Sequence, residues 1–246
     1  MSEQKMRAIR VHQYGGPEQL CLEEIECPQP QEGEVLVKIH AAGVLPIEWK
    51  LRQGLFARFQ GLSLPYVPGS AFAGVITAVG PGVSSLQPGQ AVFGRSNHGA
   101  YAEYTVASVE TIALKPENLS FDQVASISGG ATVAWTALFE CADLQAGQTV
   151  LIHGAAGGVG SSAVQFARLK DARVIATAGA RNQDFVRSLG AETVVDYLAM
   201  PFEEVAREVD LVLDTIGGET LRRSFPVVRP GGLIVSLLEE PSQELA

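Results

Sequence analysis

The chain has 246 residues, with 18 Lys plus Arg against 27 Asp plus Glu and a net charge of −9. That balance excludes the basic surface a nucleic-acid binder needs. With 46% hydrophobic and 18% charged residues, the chain can bury a full core and is not disordered; its length suits two domains better than one.

The amino-terminal stretch Met1-Ser2-Glu3-Gln4-Lys5 lacks the apolar run of an export signal. The uncharged stretch 59–94 is broken by Pro65, Pro68, Pro81 and Pro88, which excludes a membrane helix. Cys21, Cys27 and Cys141 are odd in number and widely spaced. This usage points to free thiols in a reducing cytoplasm.

From Lys5 to about Lys115, short β runs alternate with turn signals. Strands are expected at 6–11, 20–25, 34–40, 71–79, 91–93, 101–106 and 111–114. In the third, Val35, Val37 and Ile39 alternate with polar residues, the period of a half-buried strand, and Leu36 breaks the pattern. Strands this short and numerous predict a small barrel or sandwich. One or two helical turns fit 47–53.

At Ser120 the texture changes. Ser120 and Gln123 fit a capping box, with Asp122 in the first turn of a helix expected over 121–141 and bent at Gly129-Gly130. Strands at 149–153, 173–177, 193–195, 211–213 and 233–238 then alternate with helices at 159–169 and 183–189. That alternation predicts an α/β, doubly wound parallel sheet covered on both faces. The domains are placed at 1–118 and 119–246.

The first of these strands runs into His153-Gly154-Ala155-Ala156-Gly157-Gly158-Val159-Gly160. From Ala155 this reads A-x-G-x-x-G, the dinucleotide fingerprint with Ala in the first glycine place. Gly157 would let a pyrophosphate approach the backbone, and Gly160 would let helix and strand pack closely. Gly158 and Val159 would open a helix whose free N–H groups favour an anion. The other reading is a glycine-rich turn without ligand.

An NAD site usually carries Asp or Glu at the end of the next strand. Here that region reads Thr177-Ala178-Gly179-Ala180-Arg181. A guanidinium attracts a 2′-phosphate that a carboxylate would repel, so NADPH is expected rather than NADH. The other reading has Arg181 merely opening the next helix. Gly217 and Gly218 follow the fourth strand, at the edge where such sheets bind ligands.

With Ala41–Lys50, Val67–Gly74, Gly99–Tyr104, the glycine loop, Leu189-Gly190-Ala191, Asp214–Gly218 and Pro230-Gly231-Gly232 in this order, the whole chain resembles the medium-chain dehydrogenase/reductase superfamily. Specifically, it resembles the zinc-free NADPH:quinone oxidoreductase, zeta-crystallin-like branch. The resemblance implies a GroES-like catalytic domain, a Rossmann domain, NADPH in the cleft, and a small-molecule electrophile, a quinone or an enone. It implies no nucleic-acid or membrane partner and allows a homodimer. It puts Leu45 where relatives carry Asn near the nicotinamide, and Val133, with Thr132 beside it, where they carry Thr. It places Tyr197 beside the adenosine phosphate, and Lys50, Arg52 and Tyr66 at the cleft as candidate catalytic groups. Leu45 and Ser70 stand where zinc-dependent relatives carry ligands, so no metal is expected. The family pattern also carries a sixth strand and a final segment beyond 233–238, which this sequence lacks. Two further readings stay open: an enoyl-thioester reductase, and a non-catalytic NADPH-binding or structural relative.

Overall fold

The computed structural model describes residues 4–56 and 63–240. The chain divides into two compact units, Met1–Gly129 and Gly130–Ala246.

In the first unit, β1 (Lys5–Arg10) pairs antiparallel with β2 (Cys21–Glu26). A second antiparallel sheet has the order β6-β3-β4-β5-β7. Its strands are β3 (Glu34–Ala42), β4 (Ala71–Val79), β5 (Ala91–Arg95), β6 (Tyr104–Ser108) and β7 (Ile112–Leu114). The break in alternation at Leu36 has a physical reason. Val35 and Val37 pack in one core cluster, while Leu36 packs in another with Met6, Ala8 and Cys27. Both faces of β3 are therefore covered where the sequence pattern led us to expect one. The strand expected from Tyr101 begins at Tyr104; Ala102 instead bridges to Ala8. Between β3 and β4 lies α1 (Pro46–Arg52), started by Pro46, whose fixed φ suits a first helical position.

Helix α2 (Phe121–Trp135) crosses the division between the units. Its capping box is formed. Ser120 N donates to Gln123 Oε1 at 2.8 Å, and Gln123 N donates to Ser120 Oγ at 3.2 Å. The expected single helix to Cys141 changes winding, with Thr136–Cys141 forming a π-helical turn. Gly130 is a contact surface: a Cβ there would fall 2.3 Å from the Gly158 carbonyl oxygen.

The second unit is a parallel sheet of order β10-β9-β8-β11-β12. Its strands are β8 (Thr149–Ile152), β9 (Arg173–Ala178), β10 (Thr193–Asp196), β11 (Val209–Asp214) and β12 (Val228–Ser236). Val150, Ile152, Val174, Ala176, Leu211 and Leu213 pack into one cluster, which also holds Ala163, Val164 and Ala167 of α3 (Gly158–Leu169). The intervening Leu151, Ile175 and Val212 pack into the opposite cluster. This two-sided burial is why the strands read as continuous apolar runs.

Helix α4 (Gln183–Ser188) forms as expected. Helix α5 (Gly218–Ser224) was not anticipated, because its short GETLRRS sequence has no apolar periodicity. The last strand starts earlier than expected, at Val228, despite Pro230. Its position at the sheet edge, with an irregular register opposite Val209 and Leu211, accommodates the missing N–H. No helix among the described residues is long and apolar enough to cross a membrane. Cys21, Cys27 and Cys141 are free thiols, and burial pushes that of Cys27 upward in pKa.

Candidate active and cofactor sites

Each unit holds a cavity. In the second unit, a cavity of about 690 Å³ lies at the carboxyl ends of the parallel strands. Gly154, Ala156 and Gly157 line it from the loop after β8, and Thr177, Ala178 and Gly179 from the end of β9. Tyr197, Phe202, Thr215, Ile216, Thr220 and Arg223 close it from the later elements. No Asp or Glu lines it.

The expected cofactor residues of this unit fall into three groups. Gly157, Gly179 and Tyr197 line the cavity together, and the Tyr197 ring sits beside Gly179. Ala155, Gly158, Val159, Arg181 and Gly217 do not line it and lie on the segments that follow β8, β9 and β11. Ala155 is fully buried, and its N–H donates to the Thr177 carbonyl at 3.1 Å. Gly158 is exposed with open space around it, at the N-terminus of α3. Val159 packs against the core. Arg181 is exposed on the turn after β9, next to Asn182, which lines the cavity. Gly217 is held by its N–H to buried Asp214, at 3.0 and 3.1 Å from its two oxygens. The third group, Thr132 and Val133, sits on α2 and does not line this cavity.

The residues of the cavity fit a dinucleotide. A helix start of small residues with room above it offers N–H groups to a pyrophosphate. A wall without carboxylates accepts further negative charge. His153, Phe202 and Arg223, the last paired with Glu203, form a part of this wall that the motif did not reveal. His153 is 1% exposed, with both ring nitrogens engaged. Arg223 and Glu203 carry no sequence signal, since twenty positions separate them.

In the first unit, a cavity of about 970 Å³ is lined by residues including Ile47, Glu48, Tyr66, Gly69, Ser70, Asn97 and His98. Of the candidate catalytic residues, only Tyr66 lines it. Its hydroxyl is buried and has no hydrogen-bond partner among the described residues. Burial, reinforced by the charge of Glu48, raises its pKa, while Arg52 opposes the rise. Glu48 is a buried carboxylate that accepts from Gly69 N at 3.1 Å and Ser70 Oγ at 2.8 Å. Arg52 donates from Nε to the Gly15 carbonyl at 3.4 Å, and Lys50 Nζ lies 5.8 Å from the centre of the Trp49 ring. Leu45 stands at the N-cap of α1, its side chain against Gly129. Among the described residues, no three His, Cys, Asp or Glu side chains are grouped to hold a metal.

A GroES-like sheet followed by a parallel dinucleotide-type sheet defines a class of oxidoreductases that use a nicotinamide cofactor. The family model described as "Alcohol dehydrogenase GroES-like domain" matches residues 31–117, and "Zinc-binding dehydrogenase" matches 158–237. Quinone oxidoreductase of Mus musculus is 39% identical over 241 residues, covering 94% of this chain and 72% of its own. The chloroplastic NADPH-dependent alkenal/one oxidoreductase of Arabidopsis thaliana is 35% identical, covering 95% and 62%. Among solved structures, the quinone oxidoreductase from Coxiella burnetii matches with a TM-score of 0.90 at 36% identity, over 98% of this chain and 78% of its own. A mycobacterial protein solved in complex with NADPH matches with a TM-score of 0.85 at 32% identity, over 94% and 73%. The chain belongs to the medium-chain dehydrogenase/reductase superfamily, among its quinone oxidoreductases.

Proposed function

We propose that the protein is an NADPH-dependent reductase that delivers hydride to a quinone or to the C=C bond of an α,β-unsaturated carbonyl, without zinc. The observation that carries this reading is the carboxylate-free cavity at the carboxyl ends of β8, β9 and β10, with Arg181 on the turn beside it. The loop from Ala155 through Gly157, Gly158 and Val159 would hold the pyrophosphate. Gly179, Arg181 and Tyr197 would hold the adenosine end, with Arg181 reading a 2′-phosphate. Leu45, Thr132 and Val133 are assigned to the nicotinamide end by the family resemblance, and Gly217 to the carboxyl edge of the sheet, where such folds bind ligands. The names of the mouse and Arabidopsis relatives, and the NADPH complex of the mycobacterial one, support the same reading.

When bound, the reduced nicotinamide supplies the hydride. The protein's part is to orient, exclude water and meet the negative charge that develops on the acceptor oxygen. Tyr66 is the residue we assign to that charge. Its hydroxyl is buried and has no hydrogen-bond partner among the described residues, and its raised pKa keeps the proton in place to donate. Arg52 adds positive charge nearby. Lys50 takes no role in this scheme, because its ammonium lies against its neighbour Trp49. The acceptor gains one hydride and one proton, and water can supply the latter. Zinc independence is supported by the side chains present. Leu45 and Ser70 offer no ligand of the usual kind, and Glu48 is spent on Gly69 and Ser70.

The test is fluorescence titration with NADPH and NADH, followed by turnover on a panel of quinones, enones and enoyl thioesters with and without a chelator. Tight NADPH binding with chelator-insensitive turnover of quinones or enones is expected. Preference for NADH, or turnover of thioesters alone, would overturn the reading.

A further inference from the structure

The nucleotide cavity has a buried imidazole in its wall. His153 occupies the last position before the glycine-rich loop, and its main chain is fixed on both sides. Its N–H donates to the Leu213 carbonyl at 2.9 Å, and the Thr215 hydroxyl donates to its carbonyl at 2.9 Å. Its ring bridges two other elements. Nδ1 is 3.1 Å from Thr177 Oγ1 at the end of β9, and Nε2 is 3.0 Å from Ser224 Oγ at the end of α5.

The proton positions follow from the partners. Ser224 Oγ donates its own proton to the Thr220 carbonyl at 2.7 Å, so it accepts from Nε2–H. Nδ1 is then the acceptor for the Thr177 hydroxyl. Of the two neutral tautomers, Nε2–H satisfies both bonds; the Nδ1–H form would leave Nε2 facing an oxygen whose proton is already given to Thr220. Burial keeps the ring in that form, with its pKa lowered to about 4. Phe202 meets the imidazole edge-on at 4.6 Å between centroids. The Arg223 guanidinium, paired with Glu203 at 2.6 and 2.7 Å, covers that phenyl ring.

We infer that His153 is a positioning residue for the adenosine end of the dinucleotide, tying three walls of its pocket to one ring. The inference rests on the NADPH reading proposed above. Thr177 leads into the turn that carries Gly179 and Arg181, and Ser224 anchors the helix whose Thr220 and Arg223 line the same cavity. The glycine loop starts at the next residue.

The test uses the full chain and three variants, with NADPH and adenosine 2′,5′-bisphosphate as probes and the thermal midpoint recorded alongside. His153→Phe keeps the packing and removes both polar bonds; Thr177→Val removes one hydroxyl at similar shape. Each is expected to raise the Kd for both probes about tenfold, and the double variant no further than the larger single effect. His153→Asn, whose amide oxygen can accept from Thr177, is expected to recover most of the affinity. Unchanged affinity for both probes, with only the thermal midpoint lowered, would overturn the inference and leave the ring a structural filler. If His153→Phe does not fold, Thr177→Val and Ser224→Ala decide the matter on the same readout. Wild-type protein that binds no NADPH would remove the nucleotide reading itself; tight wild-type binding with unaffected variants would remove only the role of His153.

Discussion

Gly160 lies so close to Gly154 that a Cβ on Gly160 would fall 2.3 Å from the Gly154 carbonyl oxygen and 2.7 Å from Ala155 Cα. This contact joins the first turn of α3 to the loop leaving β8. Two effects compete in Gly160→Ala. Alanine favours a helix over glycine by about 1 kcal/mol. Overlap with fixed backbone costs more, about 1–3 kcal/mol for a tightly packed site and beyond that here, because a main-chain oxygen cannot rotate away. The variant should lose net stability, with a thermal midpoint lower by a few degrees, and should bind NADPH more weakly because the loop has moved. A variant as stable as wild type with unchanged affinity would show that the close approach is dispensable.

Arg181 is exposed on the turn after β9 and forms no ion pair among the described residues. It can therefore give its charge to a ligand without breaking an internal bond. Removing a charge-assisted contact costs about 1.5–3 kcal/mol, so Arg181→Ala should weaken NADPH binding roughly ten- to a hundredfold. NADH, which lacks the 2′-phosphate, should change less than about threefold. Equal losses for the two nucleotides, measured by fluorescence titration, would rule out phosphate reading by this residue.

The parallel sheet was legible in the sequence because its strands are buried on both faces and its helices carry an apolar stripe; both are local patterns. The capping box at Ser120 and Gln123 was legible for the same reason, as its two partners are three positions apart. What stayed hidden depends on contacts across the chain. Leu36 reads as a pattern error until the β1–β2 pair covers its face. The polar frame around Glu48 depends on Gly69 and Ser70, more than twenty positions away. Single histidines carry no periodicity, so nothing in the sequence distinguished buried His153 from exposed His12 or His98.

Tyr66 allows stability and function to be separated. Its hydroxyl is buried and has no partner among the described residues. Tyr66→Phe therefore removes a desolvated polar atom and breaks no bond to a described residue. It should leave the protein as stable as wild type or slightly more so. If the hydroxyl meets the developing oxyanion, kcat should fall by about tenfold or more; loss of a well-placed donor in other enzymes costs about 10²–10³. The two readouts diverge, so a general structural effect cannot imitate the result. Unchanged kcat with any accepted quinone or enone would end the assignment.

The pH dependence of stability isolates His153. Burial is the main cause of its lowered pKa of about 4, opposed by the charges of Asp214 and Glu203. In the unfolded chain its pKa is about 6.5. Above pH 6.5 the imidazole is neutral in both states and costs nothing. As pH falls below 6.5 the unfolded chain takes up a proton that the folded chain refuses. Stability then drops by about 1.4 kcal/mol per pH unit until the folded ring itself titrates near pH 4, a total of about 3 kcal/mol. Glu203 and Asp210 add a second decline at lower pH. Glu203 is held below the usual carboxylate range by its hydrogen bonds to Arg223. Asp210 is lowered as well, because burial is outweighed by the Thr149 N–H and Arg229. Their stabilisation is present above the ordinary carboxylate pKa and is lost as pH falls through the depressed one. Urea unfolding at pH 7.0, 5.5 and 4.5 should show wild type losing about 2–3 kcal/mol across the series. His153→Phe should lose much less over the same range and keep the decline below it. Parallel losses in the two proteins would mean that another group carries the acid sensitivity.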